Sequence, residues 1–238
     1  MKEIIKSSFE NYGIVLTDKQ VEQFEIYYNF LVEENEKYNL TAITEKKEVA
    51  IKHFVDSVLP YKTIPQNASI IDVGTGAGFP GVPLKILRED LKLTLLDSLQ
   101  KRVRFLKELT HKLELKNVTC VHARAEDYCR EKREKFDVAT SRAVAATNTL
   151  SEYLIPYIKK GGLVLMYKGS KAEDELKDGE KAIKTLGGKV SLIQKFFLKE
   201  VESERNVVVI EKLFPTPSKF PRGKNLPKTK PIVWVIHI

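Results

Sequence analysis

The sequence predicts an α/β fold, a seven-stranded and mostly parallel sheet covered by helices on both faces and preceded by a helical extension. Three observations predict it. From Ser69 onward, apolar runs of strand length alternate with stretches of helical periodicity, the pattern of βαβ units. Between the first such run, Ala68-Ser69-Ile70-Ile71, and the first such helix, Val82 to Leu87, lies a glycine-rich turn, Asp72-Val73-Gly74-Thr75-Gly76-Ala77-Gly78-Phe79-Pro80-Gly81. That is the strand-to-helix connection at which an open α/β sheet binds a ligand. The last two strands have only Lys199 to Arg205 between them, so they form a hairpin and the final strand enters the sheet antiparallel.

The elements follow in order. Asp18 to Lys37 carries Val21, Phe24, Tyr27, Tyr28, Leu31 and Val32 close to helical spacing, with Thr17 as its cap. A second helix is expected over 46–59. Both should pack on the domain that follows and border its ligand site. Strands are expected at 69–73, 92–97, 118–122, 136–141, 162–167, 190–198 and 206–213, and helices at 80–88, 98–113, 147–159 and 171–186. Pro80 suits a helix start. The tail, with Pro215, Pro217, Pro221, Pro227 and Pro231, is not expected to form regular helix. The chain therefore divides into a helical extension (1–60), a ligand-binding α/β domain (61–213) and a proline-rich tail (214–238), which fits one large domain with appendages.

The glycines read in two registers. Gly76-Ala77-Gly78-Phe79-Pro80-Gly81 matches G-x-G-x-x-G, the dinucleotide fingerprint. Asp72-x-Gly74-x-Gly76-x-Gly78 matches the acidic-start loop typical of S-adenosylmethionine (SAM) methyltransferases. Asp97, after the strand Lys92-Leu93-Thr94-Leu95-Leu96, can hold a ribose diol in either reading. Charge separates them. A pyrophosphate would be repelled by Asp72 at the mouth of the turn, whereas SAM has no phosphate and carries a cationic ammonium and sulfonium. The SAM register is favoured, and with it a Rossmann-like, class I methyltransferase sheet.

Composition bounds the rest. The hydrophobic content of 42% is that of a globular protein. No stretch approaches the ~20 apolar residues of a membrane span, and Met1 to Lys6 lacks the apolar core of a signal peptide, so a cytoplasmic protein is expected. Cys120 and Cys129 lack metal-ligand spacing, and no metal is expected. Residues 1–60 carry seven Lys/Arg against eleven Asp/Glu, net −4, and the remainder 33 against 21, net +12. The segment from Phe214 holds Lys219, Arg222, Lys224, Lys228 and Lys230 and no acid. That balance suits a polyanion such as nucleic acid, although ordinary solvated lysine gives the same count.

Absent motifs narrow the nucleophile. Exocyclic-amine methylases carry Asn/Asp-Pro-Pro-aromatic after the fourth strand, where this chain has Asp137-Val138-Ala139-Thr140-Ser141-Arg142-Ala143. Carbon-5 pyrimidine methylases need a nucleophilic loop cysteine; Cys120 falls mid-strand and Cys129 in the charged run Cys129-Arg130-Glu131-Lys132-Arg133. A ring nitrogen such as guanine N7 has a free lone pair and no proton to lose, so it needs no general base. No residue has the setting of a catalytic acid, base or nucleophile. Arg142, at the carboxyl edge of the sheet, Lys168, at the end of the fifth strand, and His53 are the candidates for positioning substrate. A helical histidine is more often packed or solvated, and Lys168 could equally face water. Ala125-Glu126-Asp127 follows the third strand, where adenine contacts are common, yet could be a helix-capping acidic cluster. The basic stretch Lys101, Arg102, Arg104, Lys107 and Lys112 reads as a solvated face.

Taken together the residues resemble one family, the bacterial 16S ribosomal RNA guanine-N7 methyltransferases, also known as glucose-inhibited division protein B. The matches are Asn39-Leu40-Thr41-Ala42-Ile43, His53 with Asp56-Ser57, the whole loop from Asp72 to Gly81, Leu96-Asp97-Ser98, Lys101, Ala125-Glu126, Ser141-Arg142-Ala143, Lys168-Gly169 and Pro221-Arg222. They run in order over most of the chain. The resemblance implies a class I fold with an N-terminal helical extension and SAM-dependent methylation of guanine N7 in the decoding-region loop of 16S rRNA. It implies SAM contacts from Gly74, Phe79, Ala125, Glu126 and Arg142, with Asp97 on the ribose by the strand-end argument. The partner would be 16S rRNA or the small ribosomal subunit, and nothing in the sequence requires more than a monomer. The tail departs from the family pattern by ending in Ile232-Val233-Trp234-Val235-Ile236-His237-Ile238, an apolar segment that could pack on the domain. The readings to be weighed beside this one are a SAM-dependent methyltransferase acting on another RNA, a protein or a small molecule, an NAD-dependent oxidoreductase using the 76–81 register, and a non-catalytic RNA-binding protein retaining SAM.

Overall fold

The computed structural model describes residues 1–142 and 145–233. The N-terminal part contains α1 (Lys2–Glu10), α2 (Asp18–Tyr38) and α3 (Lys46–Val49), which continues through a π-helical turn (Ala50–Val55) into α4 (Asp56–Val58). There follow β1 (Ser69–Val73), α5 (Gly81–Leu87), β2 (Lys92–Asp97), α6 (Gln100–Lys112), β3 (Val118–His122), α7 (Ala125–Lys132) and β4 (Phe136–Arg142). Then come α8 (Thr147–Leu154), β5 (Ile158–Lys168), α9 (Ala172–Thr185), β6 (Gly188–Leu198), β7 (Ser203–Lys212) and α10 (Leu226–Thr229).

The strands form one seven-stranded sheet in the order β3-β2-β1-β4-β5-β7-β6. The first five are parallel, while β7 runs antiparallel between β5 and β6. This is the expected sheet with the expected terminal hairpin. The order reverses at β1, whose neighbours are β2 and β4, so the carboxyl ends of these three strands open a crevice at the switch point.

Strand alternation sends each apolar run to both faces. Ile70, Leu93, Leu95, Val138, Val207 and Val209 join one core with α1, α2, α5 and α6; Ile71, Leu96, Ala139, Val164, Val208 and Ile210 join the other with α8 and α9. The helical extension packs into the first core through Phe9, Phe24, Tyr27 and Phe54, so it shares its interior with the sheet.

Several local expectations hold for visible reasons. Thr17 caps α2 through a reciprocal box, its hydroxyl accepting from Gln20 N at 3.3 Å and its own N–H donating to Gln20 Oε1 at 2.9 Å. Others need correction. The helix expected over 147–159 ends at Leu154, because Pro156 cannot continue the ladder, and β5 begins by Ile158. The helix expected over 46–59 is widened by the π turn that carries His53. Lys2–Glu10 and Ala125–Lys132 are helices that the periodicity did not flag. The proline-rich tail contains one helical turn, α10, because Pro227 occupies its first turn, where a missing N–H costs nothing. Ala143 and Trp234–Ile238, the end of one motif and the apolar terminus, lie outside the described residues.

Candidate active site

The glycine turn is built around a buried carboxylate. Gly74, Gly76 and Gly78 have φ of 69°, 62° and 99°, conformations that a side chain disfavours. Inside the turn Asp72 Oδ2 accepts from Thr75 Oγ1 at 2.7 Å and from Gly81 N at 2.9 Å. Asp72 is fully buried and its Oδ1 has no partner; burial pushes its pKa up to about 7 against the lowering effect of those two donors. This corrects the sequence argument, which set Asp72 at the mouth of the turn. The carboxylate lies beneath the loop and takes the first N–H of α5. An acceptor oxygen is thus already installed where a dinucleotide's pyrophosphate would seek helix N–H groups, so the dinucleotide register is disfavoured by an occupied hydrogen-bond site rather than by a charge at the mouth of the turn.

Three cavities open along the carboxyl edge and share lining residues. One, of about 260 Å³, is lined by Gly74, Asp97, Ala125, Glu126, Tyr153 and, from the tail, Asn225 and Lys228. The second, of about 450 Å³, shares Gly74, Asp97 and Ser98 with it and adds Thr41, His53, Phe79 and Arg142. The third, of about 760 Å³, shares His53 and Arg142 with the second and reaches Lys52, Asp56, Lys168 and Arg205. Every one of the site residues expected from the sequence therefore borders one continuous trough.

Phe79 is the post around which its centre is built. The ring is 6% exposed, packs parallel to Tyr27 at 5.3 Å and His53 at 4.5 Å, and has the Arg142 guanidinium 4.8 Å from its centroid. Tyr27 also donates its hydroxyl to Ala77 O at 2.6 Å, so a residue of the helical extension holds the glycine turn directly.

Arg142, at the end of β4, is tied to the same extension. Its Nη1 donates to Asp56 Oδ2 at 2.9 Å and Lys52 O at 3.1 Å, and its Nη2 donates to His53 Nδ1 at 3.1 Å. A guanidinium only donates, so His53 Nδ1 must accept, although Lys52 O is also 3.2 Å from it. The proton then sits on Nε2 and points at Thr41 Oγ1, 2.8 Å away. His53 is a neutral imidazole, its pKa lowered to about 3 by burial and then by the Arg142 charge. Its lone pair is engaged, which removes it as a general base. Asp56, itself buried, also lies 3.3 Å from Arg205 Nε, so one carboxylate joins arginines from β4 and β7.

At the other end, Asp97 accepts from Gly76 N at 3.0 Å and Leu99 N at 2.9 Å, which fixes the carboxylate at the carboxyl end of β2. A carboxylate has further acceptor sites to offer a diol. Glu126 is 4% exposed and its Oε1 has no hydrogen-bond partner. That acceptor, with Arg124 Nη1 4.0 Å away, lines a cavity whose other walls mix apolar residues with Asp97, Ser98, Thr149, Asn225 and Lys228, the setting of a ligand amino or hydroxyl donor. Lys168 borders the third cavity, but its ammonium is paired with Glu175 at 2.7 Å and donates to Ala145 O at 2.9 Å. Cys129 is buried on α7 with its thiol pushed up to about 12 by burial, which makes it inert. Among the described residues there is no cluster that could hold a metal, and no helix is long and apolar enough to cross a membrane. Sequence reasoning gave no site role to Asp56, Tyr27, Arg205 or Asn225, and read Lys228 only as part of the basic tail. The spacing of His53, Asp56 and Ser57 on one helical face was the available signal for the first.

The comparisons agree with this fold. Solved structures share the fold: an O-methyltransferase from Bacillus cereus in complex with SAH (TM-score 0.59, 14% identity, 89% of this chain and 100% of that one) and M. jannaschii TYW2 in complex with AdoMet (0.55, 16%, 72% and 80%). The ribosomal RNA small subunit methyltransferase G of Lactobacillus acidophilus is 49% identical over 236 residues, 97% of this chain and 96% of that protein. The Bacillus subtilis protein of the same name is 50% identical over 224 residues, 92% and 94% of the two chains. The family model described as rRNA small subunit methyltransferase G matches residues 20–208, a span that runs from the extension through the glycine turn and Arg142 into the final strand. With the sheet, the turn and near-full-length identity all in agreement, the chain belongs to the rRNA small subunit methyltransferase G family.

Proposed function

We propose that the protein transfers a methyl group from SAM to N7 of a guanine in the decoding-region loop of 16S rRNA. The observation that carries this reading is the continuity of the trough. Its narrow end has the acceptors an adenosine needs, and its wide end is a cleft with cationic walls that leads away from the cofactor. Glu126 and Ala125 would face the adenine, Asp97 the ribose, and Gly74, Phe79 and Arg142 the methionine end. SAM supplies an electrophilic methyl group whose carbon–sulfur bond breaks as the guanine N7 lone pair takes the methyl carbon.

The chain's own task is positioning, which supplies the acceleration by holding reactants in line. N7 loses no proton, and the residues suit a reaction without a base: His53 is neutral with its lone pair engaged, and Asp56 is held between two arginines. The loop backbone, kept open by glycine, lets the cofactor come close, and Tyr27 and Asp72 keep that backbone rigid. Arg205, which shares Asp56 with Arg142, and Lys52, paired with Glu48, border the cleft, and the net charge of +12 beyond residue 60 suits a phosphodiester chain.

The test is a methylation assay with labelled SAM and small subunits from cells lacking this protein. Label recovered in 16S rRNA as 7-methylguanosine is the expected result. Absence of label, in preparations that bind SAM, overturns the substrate.

A further inference from the structure

The tail reaches the narrow end of the trough. Arg222 forms a bidentate pair with Glu152 of α8, at 2.9 Å from Nε and 2.7 Å from Nη2, and its backbone N donates to the same carboxylate at 2.7 Å. Glu152 is fully buried, so the pair is an anchor inside the protein rather than a surface contact. Five residues further on, Thr149 of α8 donates its hydroxyl to Pro227 O at 3.0 Å. Upstream, Arg133 donates to the carbonyls of Thr216, Pro217 and Phe220. Between these fixings the chain turns through Lys224 and Asn225, both with positive φ, and brings Asn225 and Lys228 to the wall of the cavity that also contains Glu126, whose Oε1 accepts no hydrogen bond and has Arg124 Nη1 4.0 Å away.

We propose that residues 222–229 form the outer wall of the cofactor pocket, with Asn225 and Lys228 as contacts to the adenosine end. The proposal rests on the reading of that pocket as the SAM site. The chemistry fits a neutral, hydrogen-bonding ligand. The Asn225 amide offers both donor and acceptor, and the Lys228 ammonium offers donors to ring nitrogens or ribose oxygens, opposite the acceptors Glu126 and Asp97. A wall built from the tail closes a pocket that β1, β2 and α7 leave open, and a basic tail fastened in this way makes cofactor occupancy felt in a segment that faces outward.

The experiment is calorimetric titration of S-adenosylhomocysteine, without RNA, into the wild type, into the double variant Asn225→Gly with Lys228→Met, and into Arg222→Met. Glycine keeps the left-handed backbone at position 225 while removing the amide, and methionine keeps the stem at 228 while removing the charge. We expect Kd to rise about three- to tenfold in the double variant, the worth of a single lost hydrogen bond. Arg222→Met should bind more weakly too and loosen the tail backbone so that trypsin cleaves faster after Lys224 and Lys228, with ligand no longer slowing that cleavage. An unchanged Kd in the double variant overturns the proposal, including if Arg222→Met fails to fold. A wild type that binds no S-adenosylhomocysteine overturns the SAM-site reading itself, which keeps the two failures distinct.

Discussion

Asp72 shows how much one buried group can dictate. Its carboxylate braces the glycine turn, yet burial holds its pKa near 7, well above the usual carboxylate value of about 4. Between those values the folded protein binds the proton and the unfolded chain does not, so stability falls as pH rises from about 4 to about 7 and is level beyond. His53 acts in the opposite sense: its folded pKa of about 3 lies below the ordinary 6.5, so its contribution is complete above 6.5 and is lost as pH falls towards 3. The two overlap in wild-type protein and separate by difference. Asp72→Asn keeps an acceptor for Thr75 and Gly81 and cannot ionise. Its stability relative to wild type should therefore increase from pH 4.5 to pH 8, by a few kcal/mol at most from a shift of about three pKa units. Urea denaturation at a series of pH values reads this directly, and a flat difference would show that the carboxyl is not held up. The sequence marked Asp72 as a charge facing ligand; its true role depends on burial, which no local pattern reports.

The elements that were legible are those specified by neighbours in the chain. The five parallel strands, the hairpin and the Thr17 cap all follow from spacing and short-range chemistry. The π turn and the Arg142 cluster do not, because Arg142 meets Asp56 across 86 residues of sequence and the widened turn exists to present His53 and Asp56 to it. Lys168 shows the same limit: strand-end position predicted where it sits, but its pairing with Glu175 is a tertiary fact. The junction of turn and extension is where element-level packing can be tested. A Cβ on Gly78 would lie 2.7 Å from Tyr27 Oη and 2.9 Å from Val82 Cγ2, at a φ of 99°. Gly78→Ala should destabilise by about 2–4 kcal/mol, from backbone strain plus overlap. Tyr27→Phe should cost about 1–3 kcal/mol by leaving Ala77 O unpaired. Because Tyr27→Phe also removes one of the atoms that the new methyl meets, the double variant should be less destabilised than the sum by at least about 0.5 kcal/mol. Strict additivity in thermal or urea unfolding would mean that the two residues do not meet.

At the scale of the molecule, the extension and the sheet share one core, while charge is divided between them. The acidic first sixty residues pack behind the glycine turn, and the cationic surplus lies on the domain and tail. Of the five basic residues in the tail, Arg222 is committed to Glu152, whereas Lys219, Lys224, Lys228 and Lys230 are exposed. Exposed lysines near the trough proposed to receive the RNA base would act on the phosphate chain rather than on the base, so they should supply affinity without selecting the nucleotide. That division has a measurable form. Each phosphate neutralised on single-stranded RNA contributes about −0.7 to the slope of log K against log salt. Replacing Lys219 and Lys230 with glutamine leaves the Arg222 anchor and the 222–229 wall of the pocket intact. The variant should bind 16S rRNA fragments more weakly at low salt, with a slope shallower by about 1.4, and should keep the wild-type Kd for S-adenosylhomocysteine. Filter binding across 50–300 mM salt separates the possibilities. An unchanged slope would assign the RNA contacts to the cleft around Lys52 and Arg205 alone, and the tail would then serve the cofactor pocket without touching the polyanion.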